Sequence, residues 1–297
     1  MWEFFDFYLV PGVVLGCIYG LGALGISLTF AILRFAIFSH GEILLLGVYL
    51  TLTLVQLSGV HPLVAAAPAM AVTAVAMVGI DRAIFKPLRA SPTIILVIAS
   101  FGLMLMIRSV VQLVWGTEVQ GVVPGVSRPV PVLEGALLIQ PKHVTVVAAT
   151  VVLMLAVHVL LSHTKIGKAM RAVSDNAELA RLSGIDVERV IRATWMTAAV
   201  VAVAAGVFLA IDTHVETMMG FRNLLPMFAA AILGGIGRPY GALAGGLVIG
   251  VMEEISAYPW IGTEPLLSPG YKAGVAFAIM VAMLVWRPAG LFRGRVL

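Results

Sequence analysis

Between Asp6 and Arg34 the chain runs 27 residues without a charged side chain, and comparable runs recur along its whole length. Roughly 20 apolar residues make one helical crossing of the hydrocarbon core of a bilayer. Further uncharged runs cover 43–60, 62–80, 93–107 with a continuation past Arg108 to Gly116, 144–162, 193–211 and 273–286. A glycine-interrupted region spans 223–252. Composition agrees: 61% of the 297 residues are hydrophobic and 11% are charged, against about 25% charged in ordinary soluble domains. Mean hydropathy is +1.05. A membrane barrel would need alternating segments of about ten residues, and 65–80 shows no alternation. The expected fold is all-α, a polytopic transmembrane bundle of about eight helices forming a single domain over 1–297.

The few charges set the topology. Bases gather as Arg82, Lys86 and Arg89, as Lys165, Lys168, Arg171, Arg181, Arg189 and Arg192, and as Arg287, Arg293 and Arg295. The positive-inside rule places these three groups on the cytoplasmic side. The opposite segments fit, with Glu3 and Asp6 at the start and Glu253, Glu254 and Glu264 in 253–264. Parity then puts the N-terminus outside and the C-terminus in the cytoplasm. It also requires 223–252 to be a hairpin of two short helices, or a re-entrant pair, turning near Arg238. Trp2, Trp115, Trp195 and Trp286 fall at expected span ends and Trp260 in an expected outer loop, where interfacial rings belong. The early acids and the long first run argue against a cleavable signal peptide. Cys17 is the single cysteine, so no intrachain disulfide or thiolate metal site can form, and a buried inert thiol is expected.

Most motif matches have plain readings. Gly20-Leu-Gly-Ala-Leu-Gly25 fits a dinucleotide pattern but lacks the strand and soluble helix that the pattern needs. Gly12, Gly16 and Gly20 instead form a small-residue stripe, and Gly241, Gly245, Gly246 and Gly250 supply two more pairs at spacing four. Such stripes let backbones touch in lipid. No phosphate-binding loop occurs, so no cofactor is expected and any ATP is used by a partner. The histidines show no metal-ligand spacing, and no catalytic serine or cysteine signature is present, so the chain is not expected to be an enzyme. The basic balance follows loop topology and does not imply nucleic acid.

Three polar features stand inside or beside the spans. Ser39-His40-Gly41-Glu42 is either a polar inner turn or part of a path lining, with Gly235 and Gly237 as further candidates for that lining. Arg108 lies within its span and is expected to snorkel outward. Asp212 and Glu216, read as one helical turn apart, are expected at a solvated outer helix end.

The long polar stretch Thr164–Arg192 carries more structure than a tether needs. Ile166–Val173 reads as a short helix with Lys168 and Arg171 on one side. Asp175-Asn-Ala-Glu178 reads as a capping box opening a second helix that ends at Gly184. The result is a projecting knob, and Ile166, Met170, Val173, Leu179 and Leu182 would be left wet without a docked protein.

At this point the residues resemble a known family, the membrane-spanning permease subunits of bacterial branched-chain amino acid ABC importers. The resemblance rests on Phe38-Ser-His-Gly-Glu42, Asp81-Arg-Ala-Ile-Phe-Lys-Pro-Leu-Arg89, Gly167-Lys-Ala-Met-Arg-Ala-Val173 and Ala180-Arg-Leu-Ser-Gly-Ile185. It continues through Ala230-Ala-Ile-Leu-Gly-Gly-Ile-Gly237, Gly241-Ala-Leu-Ala-Gly-Gly246 and Arg287-Pro-Ala-Gly-Leu-Phe292, in that order over nearly the whole chain. Arg238 and Ser39 depart from the commoner small residues. The resemblance implies that 164–192 couples to a cytoplasmic ATPase, through Gly167, Lys168, Arg171, Ala172, Asp175, Glu178, Ala180 and Gly184. It also implies a second homologous permease, two ATP-binding subunits, a periplasmic or extracellular solute-binding protein, and a place in the bacterial cytoplasmic membrane. The rival readings are a permease for another small solute (an amide, urea or sugar) and a channel or secondary transporter without ATPases. Matching intervals, Gly41 to Pro87 and Gly241 to Pro288, further suggest a parallel internal repeat.

Overall fold

The computed structural model describes residues 4–122, 129–132, 137–260 and 269–292. Trp2, Glu3, Glu264, Arg293 and Arg295, used above for topology, lie outside the described residues. A π-helical turn, Phe5–Leu9, leads into α1 (Val10–Leu33), followed by α2 (His40–Ser58) and α3 (Pro62–Ile80), which continues as irregular helix to Leu88. Then come α4 (Thr93–Trp115), a small antiparallel pair β1 (Val130–Val132) and β2 (Leu137–Ile139), and α5 (Pro141–His163). Two short helices, α6 (Lys165–Asp175) and α7 (Ala177–Leu182), precede α8 (Val187–Asp212), α9 (Met219–Gly234), α10 (Pro239–Ser256) and α11 (Lys272–Trp286). Helices α1 to α5 and α8 are long and apolar enough to cross a membrane, and α9 and α11 are shorter apolar helices.

Helices α1 and α8 form the buried centre, with almost every residue of their middle turns buried. Their all-round apolar, glycine- and alanine-rich sequences allow this, because no face must meet water and small residues admit close neighbours. Helix α1 runs antiparallel to α10, and their backbones touch along glycines. A Cβ added at Gly12, Gly16 or Gly20 would meet Val251, Leu247 or Leu243 at 2.8–3.2 Å, and Gly246 and Gly250 lie on Gly20 and Gly16. Gly241 and Gly245 serve a different contact, against Gly234 and Ala230 within the α9–α10 hairpin. That hairpin turns over 235–238, where Gly235 and Gly237 adopt φ of 101° and 83°, accessible to glycine at no steric cost.

The packing repeats itself in an inverted sense. Helix α1 lies on α10 as α8 lies on α3, and α1 meets α9 as α8 meets α2. Likewise α2 pairs with α3 and α4 as α9 pairs with α10 and α11. Gly41 sits beside Leu224 and Gly220 beside Leu45, so α2 and α9 run antiparallel across the centre. The two halves, α1–α4 and α8–α11, are therefore related as an inverted repeat, with α5 and the knob between them. The parallel equivalence of 41–87 with 241–288 does not describe this arrangement, because α2 exchanges with α9 and not with α10. Each half contains a break after its first helix, 34–39 in one and 213–218 in the other.

Several expectations are corrected. Trp195 is no interfacial ring: it is 1% exposed, stacks on Phe85 at 5.2 Å and donates to Asp81 Oδ1 at 2.8 Å. Cys17 is half-buried instead of enclosed, because its side of α1 is only partly covered. Asp212 ends α8 and Glu216 lies beyond it in the break, so the two do not share a helical turn. Asp212 pairs with Lys142 and His143, both at 3.2 Å, and Glu216 with Arg222 at 2.5 Å, which leaves neither as an open carboxylate.

Candidate functional site

Two places in the fold hold most of the residues singled out in the sequence. The first is the knob. Thr164 caps α6 by accepting from Gly167 N at 3.0 Å, and Gly167 has no room for a Cβ beside the Leu160 and Leu161 carbonyls. The chain thus folds back sharply on the end of α5. Met170 and Val173 are buried (3% and 2% exposed), contrary to the expectation that they would be left wet, because this side of α6 faces α5 and α8. The cap of α7 is Asn176, whose Oδ1 accepts from Glu178 N and Leu179 N at 3.0 Å, so the cap falls one residue after the expected Asp175. Gly184, at φ 82°, closes α7: its N–H reaches the Arg181 carbonyl and that of Ile185 reaches Ala180, both at 3.0 Å, a Schellman closure.

This geometry sorts the expected coupling residues. Gly167 and Ala180 are buried structural positions and Ala172 is half-buried, whereas Lys168, Asp175, Glu178 and Gly184 are exposed. Arg171 donates to the Leu161 carbonyl at 2.6 Å, so part of its work is to cap α5. Leu179 and Leu182 stand out, 61% and 85% exposed at the tip. Between the knob's base and the 235–238 turn lies a cavity of about 490 Å³ with Leu28, Ile32, Met170, Arg171, Tyr240 and Phe292 in its lining. The knob is also tied inward. Arg34, at the end of α1 in a left-handed conformation (φ 63°), donates through Nη2 to the Ser174 carbonyl at 2.5 Å.

The second place is the start of α2. Segment 34–39 turns back alongside α1, so Ser39-His40-Gly41-Glu42 is no exposed inner turn: Ser39, His40 and Glu42 are 0–1% exposed. The His40 ring occupies the space a Cβ at Gly25 would fill, placing it near the middle of α1. Gly41 and Gly220 meet backbone to backbone where the first turns of α2 and α9 cross.

Arg108 does not snorkel. Its Nε donates to Glu42 Oε1 at 3.0 Å, its Nη2 donates to the same oxygen, and its guanidinium lies 5.0 Å from the Phe221 ring centre. The carboxylate is fully buried and the arginine side chain 12% exposed. A buried partner of opposite charge is worth more to a guanidinium than a stretched path to water, since an unpaired charge at such depth is costly. The available sequence signal was that Glu42 and Arg108 are the only charged residues within their two spans.

Polar groups continue from this pair along one seam, where α4 and α9 flank α2. Gln112 donates to Thr217, Trp115 to Thr53 at 2.7 Å and Gln56 to Gln120 at 3.1 Å, with Arg222 and Glu216 beyond. By contrast, the exposed positions along the middles of α3, α5 and α11 are apolar, among them Val72, Val75, Val151, Val152, Leu155 and Val281. The remaining path candidates lie elsewhere. Gly235 and Gly237 are in the hairpin turn, with Gly237 beside Ala31 and Gly235 against Gly290, so the structure does not bring them together with His40 and Glu42.

Comparison with known proteins gives a consistent result. A family model described as "Branched-chain amino acid transport system / permease component" matches residues 8–284. The high-affinity branched-chain amino acid transport system permease protein LivH of Escherichia coli K12 is 29% identical, over 94% of this chain and 92% of the relative. BraD of Pseudomonas aeruginosa, of the same description, is 28% identical over 95% and 94% of the two chains. A probable LivH from Methanocaldococcus jannaschii is 29% identical over 91% and 86%. Among solved structures, PsaBC from Streptococcus pneumoniae in complex with Fab is similar in fold, with a TM-score of 0.51 at 10% identity over 94% of this chain and 91% of that one.

Proposed function

Since the chain belongs to the permease components of branched-chain amino acid transport systems, we propose that it forms half of a heterodimeric pathway moving a branched-chain or other hydrophobic amino acid inward, driven by two partner ATPases. It is a multi-pass membrane protein and a transport component, not an enzyme. In this reading the N-terminus is outside, the knob and C-terminus face the bacterial cytoplasm, and a solute-binding protein delivers substrate from the other side.

The observation that carries the mechanism is the link from knob to path. Leu179 and Leu182 offer an apolar tip for an ATPase groove. The knob is held to α1 by Arg34, and from Arg34 the chain runs directly through 35–39 into the turn bearing Glu42. Movement of the docked ATPases is thereby passed to the start of α2, where two broken halves meet at Gly41 and Gly220. The polar seam of α4 and α9 supports the same reading. A polar strip in contact with lipid is costly, so this face is assigned to the second permease and the path between them, and the apolar faces of α3, α5 and α11 to lipid.

The test uses the complete transporter, purified with its ATPase, second permease and binding protein. Leu179→Ser with Leu182→Ser is expected to release the ATPase subunit and abolish ATP-dependent uptake in proteoliposomes. Arg34→Ala is expected to retain the ATPase yet lower uptake per ATP hydrolysed. Full uptake by this chain reconstituted alone would refute the proposal.

A further inference from the structure

The pairing of Glu42 with Arg108 is one-sided. Glu42 Oε1 receives both guanidinium bonds, and Glu42 Oε2, although buried, has no hydrogen-bond partner among the described residues. The Nη1 end of Arg108, with two N–H donors, also makes no bond among them. A buried polar atom without a partner costs about 1–3 kcal/mol, so a persistent one needs an explanation. Two more lie in the same turn, Ser39 Oγ and His40 Nε2. The ion pair thus leaves one cationic donor end on Arg108 and one anionic acceptor oxygen on Glu42 unused. Arg108 opens onto the seam where Gln112, Thr217 and Trp115 follow one another into the spans.

We infer that Arg108 and Glu42 form a recognition site for a zwitterionic α-amino acid, with the Arg108 Nη1 end taking the carboxylate and Glu42 Oε2 the ammonium. An α-amino acid carries both charges on one carbon, and each member of the pair keeps a hydrogen-bonding end that the other does not use. The Phe221 ring beneath Arg108 and the half-exposed Leu105 one turn away give an apolar side chain its contacts. A sugar, urea or amide would leave one or both charges unanswered, and a site built around polar partners rejects a ligand that lacks them. The start of α2 is also the element tied through Arg34 to the knob, so substrate contact and ATPase contact meet at one turn. The inference rests on the importer reading above and adds to it a residue-level substrate site.

The experiment measures uptake of radiolabelled L-leucine, glucose and urea, together with ATP hydrolysis stimulated by loaded binding protein, in proteoliposomes holding the whole transporter. Arg108→Gln is expected to lower leucine uptake per ATP hydrolysed about 10- to 100-fold, the scale of one lost charge-assisted contact. Arg108→Lys keeps a cation beside Glu42 but lacks the second arm of the guanidinium. It is expected to restore assembly and ATP hydrolysis without restoring uptake, which also decides the matter if Arg108→Gln fails to assemble. Full recovery of uptake by Arg108→Lys would show a merely structural pair and overturn the site. Wild-type uptake by Arg108→Gln would overturn it and leave the importer reading intact, whereas a wild-type transporter that moves glucose or urea in place of leucine would overturn both the site and the amino acid substrate of that reading. Absence of any ATP-dependent uptake by the wild type would overturn the importer reading itself.

Discussion

The two ends of the inverted repeat are closed by the same kind of bond made to different strengths. At the end bearing the basic loops, Asp81 follows α3, is almost fully buried, and accepts from Arg89 with both oxygens at 2.6 Å and from Trp195 of α8 at 2.8 Å. Arg89 also reaches Glu188 at 2.6 Å, and Lys86 joins it at 3.3 Å. At the opposite end, Glu253 near the close of α10 accepts from Tyr19 of α1 at 2.9 Å, and its Oε1 has no partner among the described residues. The neighbouring ion pair, Lys272 with Glu254 at 2.7 Å, bypasses it. In each case a carboxylate on the third helix of one half takes an aromatic donor from the first helix of the other. The Asp81 carboxylate is saturated, although Arg89 Nε beside it has no partner among the described residues, and the Glu253 carboxylate is half-satisfied. The difference teaches that inverted architecture does not make the two ends equivalent. The saturated end forms a firm frame beside the knob, and the opposite end has less to break when the halves rock.

The largest expected effect follows from the saturated end. Asp81→Ala leaves Arg89 and Trp195 without their common acceptor, and breaking a buried pair by removing one member costs about 3–5 kcal/mol. The purified transporter should lose most of its chain in an aggregated fraction, with a clear drop in unfolding temperature in detergent. At the other end, Tyr19→Phe removes the one bond to Glu253 and should cost about 1.5–3 kcal/mol, the range for a bond to a charged group. An equal or larger effect of Tyr19→Phe would break the comparison.

The centre of the repeat offers a third measurement. Gly41 and Gly220 contact one another reciprocally, so Gly41→Ala and Gly220→Ala should each destabilise by about 1–3 kcal/mol through overpacking. Because both insert a methyl at one contact, the double variant should fall short of the sum. Additive losses in unfolding temperature would show that the two turns do not act as a single joint.

How much of this was legible in the sequence depended on the range of the interaction. Hydropathy located the spans, since it is a property of contiguous residues. Local chemistry located the knob and the Gly184 closure, and the parity of crossings between the basic loops located the hairpin near Arg238. What it missed was set by contacts between distant residues. Segment 34–39 contains Phe35, Ile37 and Phe38, so its composition could not distinguish an extended return alongside α1 from continued helix. With that return hidden, Glu42 was read at the edge of a span and not against Arg108, which is 66 residues away. Trp195 was misplaced for the same reason, because interfacial position and burial against Asp81 occupy the same place in a run. The inverted repeat leaves its trace in which helices touch, and the spacing coincidence from Gly41 and Gly241 pointed to the wrong pair.

The smallest effect separates charge from hydrogen bonding at the two ends. Glu253→Gln preserves an acceptor for Tyr19 and removes a charge that has one side-chain bond to hold it among the described residues. Desolvating an ionised group is expensive and one neutral donor offsets little of that cost, so neutralisation should change stability by less than about 0.5 kcal/mol or increase it slightly. Asp81→Asn, the same change at the other end, loses the acceptor for one of two guanidinium bonds and should still cost about 1.5–3 kcal/mol. The ratio of the two shifts in unfolding temperature is therefore sharper than either alone. If both neutralisations cost the same, Glu253 is held as firmly as Asp81 by contacts beyond Tyr19, and the opposite end is no weaker than the frame beside the knob.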